Sequence, residues 1–460
     1  MTIAAIIAEY NPFHNGHEYM IKKVKEETGA DYIIAAMSGD FTQRGIPGIA
    51  DKHTRAKMAV SCGVDAVFEL PVRFATANAE IFATGGVALF HALSCVDYLA
   101  FGSECGKLSE FSRVSEFLQK EPEEFKEVIK RELRKGVSYP RAFSTAVKEY
   151  SQLSASAAVP DANSRGAAPD STAPSSFSTE LLEHPNNLLG LEYMKALKKH
   201  SSRIKPHTIA RTGTGYHDSH SAFSKEADTL IASASAIRAA LESKTGSIAL
   251  AQPLLPDEAY RTFAESYGIS APVSLDDFSL LLSMRIATET KDSLATFLDV
   301  PKELADRIYS FRDELLPFTE LISAIKHKQY TYARINRALL HILLGLKETL
   351  PPVEQATAKT DFAINLQGST AVDVHTEQFA VPYARLLAMK KSSSPLLKEL
   401  KACSKIPVIT KPADARKLLT QDALTLFLED VAAADLYNRV TAHKFNTKFV
   451  TDMRHSIELA

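Results

Sequence analysis

The 460-residue chain has no tryptophan, only four cysteines, and no excess of either charge, with 53 Lys+Arg against 55 Asp+Glu. Cys62, Cys95, Cys105 and Cys403 lie far apart and form no CxxC pair, which leaves no zinc ligand set, redox couple or disulfide framework. A formal net charge of -2 supplies no global pull toward nucleic acid, so any RNA contact must come from locally segregated basic surface. Charges interrupt every apolar window well short of the roughly 20 residues that cross a bilayer. The first eight residues carry neither a basic leader nor a small-residue cleavage site. Reduced thiols without leader or span predict a soluble cytoplasmic protein that makes no membrane contact. No internal repeat is present, and nothing in the composition sets an oligomeric state.

With 45% hydrophobic residues, a chain of this length exceeds what one hydrophobic core usually organises. Two domains are predicted, 1–244 and 257–460, joined by a linker over 245–256. Short β-branched runs at Ile3–Ala8, 31–37, 64–70 and 97–102 alternate with helical patterns at 17–28, 51–62 and 78–93. Such alternation predicts an α/β fold with a doubly wound parallel sheet, in which ligands bind beyond the carboxyl ends of the strands. Residues 154–178 are mostly Ser, Ala, Pro, Asn, Asp and Gly, too little apolar surface to offset ordering entropy, and are expected to be a disordered insertion. The pattern resumes with a helix at 187–200, a strand at 207–211, a Gly-rich loop and a helix opening at Ser233. Beyond residue 256 the chain is mostly helical, most clearly at 318–326 and 332–346, with a short strand at 406–410.

The sharpest signal, Tyr10-Asn11-Pro12-Phe13-His14-Asn15-Gly16-His17, follows the first strand and opens a helix. Two histidines bracketing a glycine at that turn can point both rings at a polyphosphate, while Gly16 lets the nucleotide approach the backbone and the helix start adds amide donors. His14 and His17 would then stabilise charge developing on an α-phosphate as pyrophosphate leaves. An HxGH string arises by chance about 0.02 times in such a chain. A second signal is the segment 231–238, IASASAIR, where the hydroxyls of Ser233 and Ser235 at a helix start suit phosphate oxygens. Arg238, one turn in, suits the leaving pyrophosphate. Three further sets carry charge without a fixed role. Arg44, Lys52 and Arg55 follow the second strand. Lys198 and Lys199 sit in a stretch, 195–211, that holds six Lys and Arg and no acid. Arg334 and Arg337, with Tyr330 and Tyr332, mix aromatic and basic character at a helix start, as readers of single-stranded RNA do. Each of these also fits an ordinary solvated or packing role.

The HxGH and IASASAIR strings together resemble the HxGH nucleotidyltransferase superfamily. IAEYNPFHNGHEYM (7–20), SGDFTQRG (38–45), FGSE (101–104), PNNLLGLEY (185–193) and RTGTGYHD (211–218) narrow the resemblance to the tRNA(Met) cytidine acetate ligase family. KQYTYARINRALLHILLGL (328–346), YARLLAMK (383–390) and IPVITK (406–411) extend it through the second half. Asp40 stands where the family form SGNFxQRG has Asn. The resemblance implies an α/β nucleotidyltransferase domain of HIGH type, followed by a mostly helical domain that holds tRNA. It implies an ATP-dependent ligase that makes acetyl-adenylate from acetate and passes the acetyl group to N4 of the wobble cytidine of elongator tRNA(Met), with Mg2+ bound through the ATP phosphates. Carried over by position, ATP contacts fall on Ile7, Ala8, Glu9, Tyr10, Asn11, Pro12, Phe13, His14, Asn15, Gly16, His17, Glu18, Tyr19 and Met20. Gly102, the pair Asn186 and Asn187, and Arg211 complete them. Two alternatives stand beside this reading: a small-molecule adenylyltransferase, which rarely needs so long a helical extension, and an inactive RNA-binding relative, which intact His14, Gly16, His17 and Arg238 argue against.

Overall fold

The computed structural model describes residues 1–120, 123–135, 137, 141–149, 179–182, 184–211, 224–226, 229–243, 246–328, 330–348 and 381–460. The insertion expected at 154–178 and all of the Gly-rich string beyond Arg211 lie outside the described residues. The first half runs β1 (Ile3–Ala8), α1 (Asn15–Thr28), β2 (Tyr32–Ser38), α2 (Lys52–Ser61), β3 (Ala66–Leu70), α3 (Val72–Ala75), α4 (Ala79–Leu93) and β4 (Tyr98–Ser103). It continues through α5 (Leu108–Lys120), α6 (Glu123–Arg134), α7 (141–149), α8 (Pro185–Lys199) and β5 (Lys205–Ala210). A hairpin of β6 (Ser224–Glu226) and β7 (Thr229–Ile231) leads into α9 (Ala234–Glu242). Asp51, Asn78 and Ser233 each cap the helix that follows, accepting from Thr54 N, Ile81 N and Ala236 N.

Strands β1 to β5 are parallel in the order β3-β2-β1-β4-β5. The apolar runs of β1, β2 and β3 are buried on both faces, as a sheet covered by helices on each side requires, while the edge strand β5 is largely half-buried or exposed. The chain winds from β1 out to β3 and then crosses back to β4, so the order reverses between β1 and β4. A crevice opens at the carboxyl ends of those two strands.

The second half contains α10 (Asp257–Ser266), α11 (Ser279–Thr288), α12 (Lys291–Leu294), α13 (Lys302–Tyr309), α14 (Phe318–Ile325) and α15 (Tyr332–Leu344). Then come β8 (Ala384–Met389), α16 (Ser394–Cys403), β9 (Val408–Ile409), α17 (Ala415–Leu418), α18 (Gln421–Lys444) and β10 (Glu458–Leu459). The boundary expected between 1–244 and 257–460 is not one the sheet respects. β8 is wholly buried and pairs antiparallel with β3, and β9 and β10 line its other edge. The C-terminal 80 residues thus complete the N-terminal sheet. The segment 245–256, expected as a linker, instead packs: Ala251, Leu254 and Leu255 are buried in the core under α1 and α2.

A separate apolar core joins α11, α13, α14 and α15 to Ala433, Tyr437 and Val440 of α18, and takes in Phe41 and Val72 from the first half. The Phe41 ring lies 5.5 Å from Phe278 and 6.0 Å from Tyr437. The helical half is therefore docked on the loops at the carboxyl ends of β2 and β3, beside the crevice.

Candidate active site

At the end of β1 the chain turns through Tyr10, in the left-handed region with φ 46, and a cis Asn11-Pro12 peptide into α1. The Asn11 side chain holds this turn against the loop after β2: Nδ2 donates to the Pro47 carbonyl at 3.1 Å and Oδ1 accepts from Ile49 N at 2.7 Å. His14 caps α1. Its Nδ1 accepts from Gly16 N at 3.1 Å, while His17 Nδ1 accepts from His14 N at 3.2 Å, and the rings stack 3.7 Å apart. A nitrogen that accepts carries no proton, so each neutral ring keeps its hydrogen on Nε2. Burial, then Arg211 and Arg238, push His14 down to about 3. Burial, His14 and Arg211 hold His17 well below the ordinary imidazole value. The pair is thus two uncharged Nε2–H donors with fixed tautomers. Gly16 is closely packed: a Cβ there would sit 3.1 Å from the His14 ring and 3.4 Å from Ile231, so a side chain would have to push the ring aside by a few tenths of an ångström.

Arginines converge on the same turn. Arg238 Nη1 donates to the Asn11 carbonyl at 2.7 Å and Nη2 to Ser235 Oγ at 3.1 Å. Arg44 Nη1 donates to that same hydroxyl at 3.2 Å. Ser233 spends its oxygen capping α9. Across the crevice, Arg211 lies against Gly102 at the end of β4: a Cβ there would meet Arg211 Cγ at 3.3 Å and Met20 Sδ at 3.9 Å. Of the two asparagines, Asn187 is buried, and its Oδ1 accepts from Glu104 N and Cys105 N, which ties α8 to the loop after β4. Asn186 is only half-buried, and its Nδ2 donates to Glu104 Oε1 at 2.6 Å. The structure thus brings His14, His17, Ser235 and Arg238 together at the turn after β1, with Arg211 close enough to act on both histidines, Gly102 against Arg211 and Arg44 at Ser235, whereas Asn15 donates to the Leu230 and Pro253 carbonyls and Ile7 packs against Gly86.

Other sequence candidates fall elsewhere. α8 begins at the crevice, so its last residues Lys198 and Lys199 lie about 20 Å away along the helix. The basic stretch 195–211 is not one surface: Lys195 pairs with Glu192, Lys198 is half-buried, and Arg203 donates to the Ser94 carbonyl. Arg337 is paired with Asp299 at 2.9 Å. Arg334 remains exposed.

Sequence reasoning undervalued three residues. Arg55, taken for a helix-face charge, is fully buried and donates to the carbonyls of Ala50, Glu9, Ser38 and Gly39, clamping the ends of β1 and β2 together. Lys52 is buried between Glu69 at 2.7 Å and Asp452 at 2.8 Å. Arg385 of β8 binds the same two carboxylates, and Glu69 lies against Gly39. No short string could announce this network, because its members come from two strands, a helix and the C-terminal segment. Among the described residues no group of three His, Cys, Asp or Glu could hold a metal ion, and no helix is long and apolar enough to cross a membrane.

The family model described as HIGH Nucleotidyl Transferase matches residues 1–370. The tRNA(Met) cytidine acetate ligase of Clostridium novyi (strain NT) is 33% identical over 448 residues, covering 97% of this chain and 98% of that relative. The protein of the same name from Clostridium acetobutylicum is 34% identical over 439 residues, covering 95% and 96%. The crystal structure of Thermotoga maritima TmcAL bound with alpha-thio ATP aligns with a TM-score of 0.79 at 25% identity, covering 100% of this chain and 99% of that one. Its apo form aligns with a TM-score of 0.82 at the same identity.

Proposed function

The chain belongs to the HIGH nucleotidyltransferases and, within them, to the tRNA(Met) cytidine acetate ligase family, and from that premise we propose a two-step, ATP-dependent acetylation of tRNA. In the first step an acetate oxygen attacks the α-phosphorus of ATP, the bond to the bridging oxygen breaks, and pyrophosphate leaves. In the second, N4 of the wobble cytidine of elongator tRNA(Met) attacks the acetyl carbonyl. The nitrogen loses a proton and AMP departs. The anhydride is needed because the N4 lone pair is delocalised into the ring, so free acetate cannot acylate it.

The observation that carries the reading is the stacked His14–His17 pair, whose Nδ1 atoms are both occupied by backbone N–H groups. Two neutral Nε2–H donors are left for the α-phosphate, where charge develops as pyrophosphate leaves, at no cost of reorganisation. Arg238 and Arg44, meeting at Ser235, suit the departing pyrophosphate, and Arg211 with Gly102 and Asn186 suits the nucleoside side. With no metal-binding cluster among the described residues, Mg2+ is expected to arrive on the ATP phosphates and neutralise charge there. Four free cysteines suit a reducing cytoplasm.

Acetate-dependent exchange of labelled pyrophosphate into ATP tests the first step without RNA. The wild-type protein should catalyse it, and His17→Ala or Arg238→Ala should each reduce it by about 100-fold or more, the scale of losing one preorganised transition-state donor. Near wild-type exchange in either variant would remove the proposed site.

A further inference from the structure

The aromatic and basic residues at the start of α15 are not used by adenylate formation, yet the structure sets them beside it. Gly45, in the loop after β2, has φ 69, and a Cβ there would lie 2.4 Å from Arg337 N and 2.5 Å from the Asn336 carbonyl carbon. The loop backbone is therefore pressed onto α15 at Asn336–Arg337. Its neighbours face the crevice: Gln43 N donates to Glu9 Oε1 at 3.0 Å, and Arg44 reaches Ser235. Tyr332 precedes Asn336 by four residues, so both lie on one helix face, one turn apart. Helical side chains lean toward the N-terminus, so Tyr332 extends along that face away from Asn336.

That ring is 57% exposed, although an exposed tyrosine gains nothing there from burial. Lys326 Nζ lies 5.3 Å from its centroid, and Arg334 lies 5.0 Å from the centroid of Tyr330. Residues 326–334 include Lys326, Lys328 and Arg334 and no acid. A flat exposed ring among cations matches the chemistry of unstacked nucleotides, with a base on the aromatic face and phosphates on the cations. A duplex presents no free base faces, and an acidic peptide would leave the ring unused.

We propose that Tyr332, with Lys326 and Arg334, is a stacking platform for a base of the single-stranded RNA segment that delivers the acceptor nucleotide to the crevice. This rests on the RNA-acceptor reading above. Arg337, held by Asp299, and Lys198 and Lys199, at the far end of α8, have no part in it.

Binding of an elongator tRNA(Met) transcript to the full chain tests the platform, with acetate-dependent pyrophosphate exchange as an RNA-free control. Tyr332→Ala should raise Kd by about ten- to a hundredfold, the range for losing one stacked base. Tyr332→Phe should stay near wild type, and exchange should be unchanged in both variants. Lys326→Ala and Arg334→Ala should each lower the slope of log K against log salt by about one. Wild-type affinity in Tyr332→Ala, or loss of exchange along with binding, overturns the platform. If the wild-type protein neither binds nor acetylates the transcript, the RNA-acceptor reading fails and the platform with it.

Discussion

Asp40 illustrates how a single side chain near the crevice is tuned by its surroundings. Its Oδ1 accepts from Lys52 N at 2.7 Å, and it is buried. Burial pushes its carboxyl from 3.8 up to about 6, against the pull of Lys52 and Arg55. Because the folded value is raised, the folded state binds more protons between pH 4 and 6, and the contribution of this group is lost as pH rises through about 6. A neutral amide can accept the same hydrogen bond without that penalty. Asp40→Asn should therefore be the more stable protein at pH 7.5, by on the order of 3 kcal/mol, and the gap should close below pH 4. Thermal melts across that range check it. A gap of constant size at all pH values would mean that the carboxylate is not the cause. At this scale HxGH and the arginine of IASASAIR were legible, because each needs only a few neighbouring letters. The different settings of Asn186 and Asn187 were not, since both meet Glu104, Asn187 buried and bonded to its backbone N–H and Asn186 half-buried and bonded to its carboxylate.

Among elements, the parallel strands were legible because β-branched runs alternate with helical periods over short distances. Strand β8 was not recognised as a strand, and its partner residues in β3 lie more than 300 residues earlier in the chain, as in Glu69 with Arg385 and Ala66 with Met389. Its arrival explains how a buried charge network can exist. Lys52 of α2, Glu69 of β3, Arg385 of β8 and Asp452 of the C-terminal segment neutralise one another, and His53 adds a hydrogen bond to Asp452 at 3.1 Å. Burial opposes ionisation of Asp452, but Lys52 and Arg385 prevail and hold it well below the ordinary carboxylate value. Its contribution is present above the unfolded value and is lost as pH falls below it toward the folded one. Asp452→Ala would leave Lys52 and Arg385 sharing one carboxylate, and should lower unfolding free energy by about 3–5 kcal/mol in urea titrations at pH 7. A loss below about 1 kcal/mol would show that the network is not a joint between the two ends of the chain.

At the scale of the whole molecule, the two halves are interlocked and not strung together. The helical half seats Phe41 in its core, presses α15 on Gly45, and then returns three strands and Asp452 to the first sheet. A helical extension docked at the mouth of an adenylate-forming crevice makes sense if the acceptor is large and must be presented there. A small-molecule adenylyltransferase rarely needs one. The direct test is to incubate the full chain with labelled acetate, ATP, Mg2+ and elongator tRNA(Met), digest the RNA and look for N4-acetylcytidine. The account predicts label at the wobble cytidine, dependent on ATP and acetate and absent from a wobble-mutated transcript. Label that appears only with acetyl-coenzyme A, or AMP formation with no label in RNA, would contradict it.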